Sequence, residues 1–174
     1  MRTLGAWWWK SPARQQMDSV QMERRRRWGP AVTVAAVIER DGRFLMVEEE
    51  TPEGLRINQP AGHLEPGESL RDAVIREAFE ETGHRFFPEA LIGVYRWTQP
   101  DGETTYLRFA WTGDVRAPES SVCLDEGIVR TLWMTPDELR ASVARHRSRL
   151  VMQCVEDWLS GHRHPLELVR EFES

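Results

Sequence analysis

The stretch that decides the fold is GHLEPGESLRDAVIREAFEETG, residues 62–83. Ser69 followed by Asp72 predicts the start of a helix, because a serine side chain can accept a hydrogen bond from a backbone N–H of the first turn. Gly83 predicts the end of that helix, since glycine adopts the left-handed conformation that often follows a last turn. We therefore expect a helix over residues 70–82.

Acidic residues are concentrated in this stretch, which holds five glutamates and one aspartate in 22 positions. At about 100° per residue, Glu77, Glu80 and Glu81 fall in one sector of the helix. The residues predicted to pack lie mainly on the other side: Val74, Ile75, Ala78 and Phe79. The helix is thus predicted to have one acidic face and one packing face.

An acidic face of this kind has two interpretations. Like charges at this spacing repel by about 0.2–0.5 kcal/mol per pair, and a solvated acidic face is the ordinary structural explanation. Three converging carboxylates would also form the all-oxygen site that Mg²⁺ and Mn²⁺ prefer. The preceding non-helical passage, Pro60-Ala61-Gly62 and then Pro66-Gly67, can bring backbone groups and Glu68 towards this face.

The rest of the chain predicts an α/β protein. Segments with strand-like composition are AVTVAAVIE (31–39), RFLMVEEE (43–50), LIGVYRWT (91–98), TTYLRFAWTGDV (104–115) and GIVRTLWMT (127–135), with a hairpin turn at Asp41-Gly42. Thr135 with Pro136 and Glu138 predicts a capped helix over PDELRASVARHR, and a last helix is expected over residues 149–160, ending at Gly161. This order indicates a mixed sheet with helices on its faces.

Residues 1–29 differ from the rest and are interpreted as an N-terminal extension to a domain spanning residues 30–174. The extension carries Trp7–Trp9 and the basic run Arg24–Arg27, which could contact nucleic acid or phosphate or simply be a solvated tail. Met17 and Met22 are alternative translation starts. The formal net charge of −5 argues against nucleic acid as the partner.

Cysteine content and hydropathy predict a cytoplasmic, soluble protein. Cys123 and Cys154 lack metal-site or disulfide spacing and are expected to be reduced thiols. No apolar run approaches the ~20 residues that a membrane helix needs. We expect neither a membrane nor a nucleic acid as partner, and either a monomer or a homodimer.

The acidic stretch resembles the complete Nudix box of the Nudix hydrolases. The matching positions are Gly62, five residues, Glu68, seven residues, Arg76-Glu77, two residues, Glu80-Glu81, one residue and Gly83. Ala78 and His84 occupy aliphatic slots of the motif, which affects packing of the helix ends and not the acids. The segments INQPAGHLEPGESL, YRWTQPDG, YLRF and SGHRHPLELV resemble the phosphatase NudJ branch of this family, and the likeness spans about Trp28–Phe172. The resemblance implies an α/β/α sandwich around a mixed β-sheet.

The resemblance also implies a metal site and its chemistry. It assigns magnesium, with manganese as a substitute, to Glu77, Glu80 and Glu81, with the Gly62 carbonyl and Glu68 as lesser candidates. Glu80 is our first choice as the general base. Arg76 is expected to orient a carboxylate. Glu126, in a later loop, is a further ligand or an alternative base, or else a solvent-exposed glutamate.

Substrate contacts are expected around the box. Asn58 and Gln59 could read the polar edge of a base, and His63 could contact phosphate. A second group could stack on a planar ring or belong to the core: Tyr95, Trp97, Tyr106 and Phe109.

The activity implied is hydrolysis of a small phosphorylated molecule. A NudJ-like enzyme would release orthophosphate from nucleoside tri- and diphosphates and from hydroxymethylpyrimidine diphosphate. The alternatives are a Nudix pyrophosphatase for ADP-ribose or dinucleoside polyphosphates and a Nudix-fold binding protein without catalysis.

Overall fold

The computed structural model describes residues 28–119 and 123–172, so the predictions for Trp7–Trp9, Met17, Met22 and Arg24–Arg27 lie outside the described residues. The strands of this part are β1 (Ala31–Val37), β2 (Glu39–Arg40), β3 (Arg43–Thr51), β4 (Gly54–Asn58), β5 (Ala61–His63), β6 (Phe86–Thr98), β7 (Thr105–Val115) and β8 (Ile128–Met134). The helices are α1 (Leu70–Thr82), α2 (Pro136–Ala141) and α3 (Leu150–Leu159), with short 3-10 turns at Val143–Arg145 and Leu166–Leu168.

The strands form a mixed sheet and an antiparallel sheet. In the mixed sheet the order is β5-β1-β7-β6, with β1 parallel to β7 and the other neighbours antiparallel. Thr33 of β1 pairs with His63 of β5 on one side and with Arg108 of β7 on the other. In the second sheet β3 lies between β4 and β8, and β2 joins β3 through the predicted turn, where Asp41 and Gly42 both have positive φ.

Helices cover both faces of the mixed sheet, as the α/β/α prediction requires. α1 packs on β1, β5 and β6, and its core includes Val34, Ala36 and Trp111. α3 packs on β1 and β6, and its core includes Val37 and Ala110. Alternate residues of one strand point to opposite faces, so β1 and β7 supply both cores.

The ends of α1 are those that the sequence predicts. The Ser69 side chain accepts a hydrogen bond from the Asp72 N–H at 3.0 Å, and Gly83 has φ of 71°. The chain end also contacts this helix: the Glu171 carboxylate accepts a hydrogen bond from the Leu70 N–H at 2.7 Å. The start of α1 is therefore stabilised both by its own cap and by the C-terminal segment.

Three details differ from the sequence-based expectations. β4 and β5 are short strands that composition did not indicate. The capping box of Thr135 and Glu138 is present, but the helix that it opens ends at Ala141, and only a 3-10 turn follows. The buried side of α1 includes Glu77 and Glu81, whereas Ile75 and Phe79 are partly exposed and belong to neither core. The simple division into an acidic and a packing face is therefore wrong.

Two further observations concern the cysteines and the helices. Cys123 is exposed and Cys154 is buried, and both are free thiols. Within residues 28–119 and 123–172, no helix has the length and apolar character needed to cross a membrane.

Candidate active site

Two carboxylates of α1 are buried against strand β5. Glu77 and Glu81, one helical turn apart, are only 8% and 9% exposed. Glu81 Oε2 accepts a hydrogen bond from the Ala61 N–H at 2.8 Å. A Cβ on Gly62 would lie 2.1 Å from Cδ of Glu77. A residue without a side chain is therefore what allows the Glu77 carboxylate to lie against the strand.

Arg76 joins the acidic residues of the box. Its Nε and Nη2 donate to the two oxygens of Glu68 at 3.0 and 2.7 Å. Its Nη1 donates to Glu77 at 2.8 Å and to Glu80 at 3.0 Å, and Nη2 also reaches the His63 carbonyl at 3.1 Å. Such charge-assisted hydrogen bonds fix the orientation of both partners. Arg76 therefore orients three carboxylates, where the sequence predicted one.

The electrostatic environment of the buried pair disfavours negative charge. Burial raises the pKa of Glu81 to about 9, although the hydrogen bond from the Ala61 N–H acts in the opposite direction. The charges of Glu77, Glu49 and Asp125 raise this pKa further. Burial also raises the pKa of Glu77, although Arg76 acts in the opposite direction. Two desolvated acids that repel each other are a site where a cation would bind favourably.

Two acids that the sequence did not single out lie near this pair. The Asp125 N–H donates to the Glu80 carbonyl at 3.1 Å, which holds the loop before β8 against α1. Glu49 of β3 raises the pKa of Glu81 through its charge. The predicted residue Glu126 is exposed in the same loop, and its side chain makes no hydrogen bond or ion pair to the described part of the chain. Its catalytic role stays a prediction.

The carboxylate oxygens of the box are of a type that fits a divalent cation, although they do not surround a common point. Among the residues that the structure describes, no three His, Cys, Asp or Glu side chains are arranged closely enough to hold a metal ion. The Arg76 guanidinium binds Glu68, Glu77 and Glu80, and so supplies the positive charge between them. The oxygen donors on α1 are nevertheless of the type that magnesium and manganese prefer.

A cleft of about 510 Å³ adjoins the carboxylates. Ala61, Gly62 and His63 of β5 line it, and these same residues contact Glu81, Glu77 and Arg76. The acidic and basic side chains that line the cleft are Glu49, Glu53, Arg56, Arg108 and Arg147. A molecule bound in this cleft would thus contact both acidic and basic side chains, and one end of it would lie beside the acidic residues of α1.

The four aromatic residues proposed for ring stacking divide into two pairs. Trp97 and Tyr106 line the cleft and stack on each other, with ring centroids 5.8 Å apart and an interplanar angle of 16°. Tyr95 packs against the α3 core and donates to Asp157 at 2.7 Å, and Phe109 packs against the α1 core. The position of Trp97 and Tyr106 is compatible with stacking, whereas Tyr95 and Phe109 are core residues.

The three predicted substrate residues also have different surroundings. Asn58 and the exposed His63 line the cleft. Gln59 does not line it, is fully buried, and donates to the Val151 carbonyl of α3 at 2.7 Å. Gln59 therefore contacts another part of the fold, while Asn58 and His63 remain candidates for binding.

Comparison with known proteins identifies the family. The family model of the NUDIX domain matches residues 27–154. The chain is 37% identical over 143 residues to phosphatase NudJ of Escherichia coli K12, covering 82% of this chain and 92% of that protein. This chain belongs to the Nudix hydrolases. Phosphatase NudJ of Shigella flexneri matches with the same identity and coverage.

Solved structures of Nudix proteins share the fold of this Nudix hydrolase. A NUDIX hydrolase from Nitrosomonas europaea is 53% identical, with a TM-score of 0.79 over 83% of this chain and 98% of its own. A MutT NUDIX hydrolase from Burkholderia pseudomallei is 22% identical, with a TM-score of 0.64 over 75% and 98%, and shows likeness of fold alone. The predicted α/β class and Nudix fold are confirmed.

Membership of the family establishes the type of reaction. Nudix hydrolases cleave phosphoanhydride bonds in small phosphorylated substrates and generally use divalent metal ions. This chain is therefore a hydrolase of that class.

Proposed function

We propose that this Nudix hydrolase is a magnesium-dependent, NudJ-like phosphatase that releases orthophosphate from nucleoside tri- and diphosphates and from hydroxymethylpyrimidine diphosphate. The observation that carries the proposal is the complete box with Glu77 and Glu81 held against Gly62 at the edge of a ligand-sized cleft. Its likeness to phosphatase NudJ over most of both chains supports the choice of substrate class. Manganese would substitute for magnesium.

The proposed metal ligands are Glu77, Glu80 and Glu81, with Glu68 and the Gly62 carbonyl as further candidates. When bound, the metal offsets charge on the phosphoryl oxygens and lowers the pKa of a water molecule. The protein supplies the donor oxygens on a rigid, doubly capped helix. Arg76 binds Glu68, Glu77 and Glu80 and so restricts their orientations, and the oxygens of Glu77 and Glu80 that it holds would have to turn towards a metal.

The proposed general base is Glu80. Its side chain is 38% exposed, which is more than Glu77 or Glu68 at 10% and 17%, and its Oε2 accepts from Arg76 at 3.0 Å. The other oxygen is left to take a proton from the attacking water. A P–O bond to that water forms as the anhydride P–O bond breaks, and the departing phosphate keeps the electron pair.

The decisive experiment is a substrate panel with separated products. The purified full chain is incubated with magnesium and with nucleoside tri- and diphosphates, hydroxymethylpyrimidine diphosphate, ADP-ribose and a dinucleoside polyphosphate. We expect orthophosphate from the first three classes and its loss when a chelator removes the metal. Two organic phosphates from ADP-ribose or the dinucleotide, without orthophosphate release from the others, would support the pyrophosphatase alternative. No turnover of any compound would support a non-catalytic binding protein.

Matched variants test the residues. Glu77→Gln and Glu80→Gln are expected to lower kcat by about 10²–10⁴-fold, because each removes a charged oxygen required at the phosphoryl group. Glu65→Gln is the control, since Glu65 is an exposed acid of the same loop whose side chain makes no hydrogen bond or ion pair in the described structure. Glu126→Gln decides whether that loop acid contributes. Full activity of Glu77→Gln would overturn the metal-site assignment.

A further inference from the structure

Among the described residues, several polar atoms in the inner part of the cleft lack hydrogen-bond partners, and the ion pair of Glu49 Oε1 with Arg147 Nε is long, at 3.7 Å. Within the described ranges, Arg108 Nε and Nη1, Thr33 Oγ1, Asn58 Oδ1 and Glu49 Oε1 are buried without a hydrogen-bond partner. All four residues line the cleft. A buried polar atom without a partner costs about 1–3 kcal/mol. Five of the eight such atoms among the described residues belong to residues that line this cleft, which is a feature of a binding site.

The four side chains come from four strands, two in each sheet. Thr33 and Arg108 are register partners on the neighbouring strands β1 and β7. Thr33, Asn58 and Arg108 are 4%, 6% and 8% exposed. Burial lowers the pKa of Arg108, and Cys154 and then Glu49 act in the opposite direction. These groups therefore form one built polar surface, here called the inner subsite: Thr33, Glu49, Asn58 and Arg108.

The chemistry of the inner subsite selects the part of the substrate that it contacts. Arg108 offers two N–H donors, while Asn58 Oδ1 and Glu49 Oε1 are acceptors. A phosphate group would satisfy the donors but would place its oxygens beside those of Glu49 and offer no N–H to Asn58. A nitrogen heterocycle with an amino group beside a ring nitrogen offers one acceptor and one donor side by side. Trp97 and Tyr106, in the same cleft, supply aromatic surface for stacking such a ring.

We propose that the inner subsite recognises an amino-substituted nitrogen heterocycle of the substrate. Arg108 donates a hydrogen bond to the ring nitrogen, and Asn58 accepts one from the amino group. The inner-subsite proposal rests on the proposed function, because it places the phosphates attached to the ring at the β5 end of the cleft, beside the carboxylates. Arg108 and Asn58 would then set the specificity for the ring. Arg108 and Asn58 are not part of the acidic cluster that performs the reaction.

The test is metal-free equilibrium binding by calorimetry to the full chain. The probes are AMP, purine riboside monophosphate, 1-deazaadenosine monophosphate and ribose 5-phosphate, with CMP in parallel as a smaller base. Compared with AMP, purine riboside monophosphate lacks the amino group, the 1-deaza compound lacks the neighbouring ring nitrogen, and ribose 5-phosphate lacks the whole ring. Wild type is expected to bind AMP about 3–10-fold more tightly than either modified purine, which is the effect of one hydrogen bond. Equal affinity for AMP and both modified purines would overturn the proposal, as would no measurable binding of either AMP or CMP.

Variants assign each contact. Arg108→Met should abolish the preference for AMP over the deaza compound, and Asn58→Leu should abolish the preference for AMP over the compound without the amino group. Arg56→Met, in the same cleft, is the control and should preserve both preferences. If Arg108→Met weakens ribose 5-phosphate as much as AMP, Arg108 binds phosphate and the proposal fails.

Folding and function are checked separately. Arg108→Met is expected to unfold no earlier than wild type, because it removes buried donors that have no partner. Should it fail to fold, Arg108→Lys replaces it, since lysine keeps the charge but lacks the Nε and Nη1 pair. Ring discrimination without phosphate release would contradict the proposed function alone. Phosphate release with equal binding of AMP and both modified purines would contradict only the inner subsite.

Discussion

The Glu77 carboxylate fills the space that a side chain on Gly62 would need. A Cβ added to Gly62 would lie 2.1 Å from Cδ of Glu77 and equally close to its Oε1. The first residue of the box is therefore a glycine for steric reasons, since its backbone φ is not in the left-handed region. The helix carboxylate and the strand backbone meet at a distance that no other residue permits.

Gly62→Ala should lower kcat by about 10²-fold or more, because a displacement of about 1 Å at a catalytic group has that effect. The free energy of unfolding should fall by only about 1 kcal/mol, the low end of the cost of overpacking, because the atoms that the new Cβ meets are the end of the flexible Glu77 side chain. Steady-state kinetics and urea unfolding measure the two effects. Gly29→Ala is the control, because a Cβ there meets nothing within 4 Å. Normal activity of Gly62→Ala would mean that Glu77 has no fixed role.

Glu81→Gln should raise the melting temperature of the metal-free protein or leave it unchanged, while removing stabilisation by magnesium. The reason is that Glu81 is a buried acid next to Glu77, and glutamine can still accept from the Ala61 N–H. A ligand that binds only the folded state stabilises it by about 2.7 kcal/mol at 100 times its Kd. Thermal melts with chelator and with excess magnesium measure both effects. An equal magnesium-induced shift in wild type and variant would remove Glu81 from the metal site.

The sequence predicted the features that depend on near neighbours. The caps at Ser69 and Gly83, the turn at Asp41-Gly42 and the spacing of the box glutamates are local patterns, and the structure contains all of them. The box also predicted that Glu68 would approach the helix, and Arg76 binds it there.

The features missed from the sequence depend on distant pairing. Glu49 and Arg108 come to the cleft through the strands β3 and β7, and nothing in its own segment marks Arg108 as a site residue. A run of three acids, Glu48–Glu50, in a strand was the available signal, because a strand buries alternate side chains and these acids need partners. The burial of Glu77 and Glu81 was missed because a helical wheel does not show the edge strand that covers them.

Arg76→Lys should lower kcat by about 10-fold or more with little loss of stability. Lysine keeps the positive charge, but one ammonium group cannot reproduce the forked contacts to Glu68, Glu77 and Glu80. Steady-state kinetics measures the effect, with circular dichroism to check folding. Arg71→Lys is the control, since Arg71 is exposed on the same helix. If the two variants are equally active, orientation by the guanidinium is unimportant.

Glu48→Gln should give a pH-dependent loss of stability away from the active site. The buried Glu48 carboxylate accepts a hydrogen bond from Arg130 at 2.7 Å and also binds Arg145. These partners, Arg130 first, lower the pKa of Glu48 despite its burial. At pH 7 the variant should lose about 1.5–3 kcal/mol of unfolding free energy, the range for hydrogen bonds to charged groups.

The sign of the pH dependence follows from the lowered pKa of Glu48. Its contribution is complete above the ordinary glutamate pKa of about 4.3 and is lost as the pH falls through the lower value of the folded state. Urea unfolding of wild type and Glu48→Gln between pH 7 and pH 3 should therefore give curves that converge only in the acidic part of the range. Glu50→Gln, at an exposed position of the same strand, should follow wild type throughout. A difference between wild type and Glu48→Gln that stays constant down to pH 3 would show that the loss arises from packing, because a lost ion pair must disappear once the carboxylate is protonated.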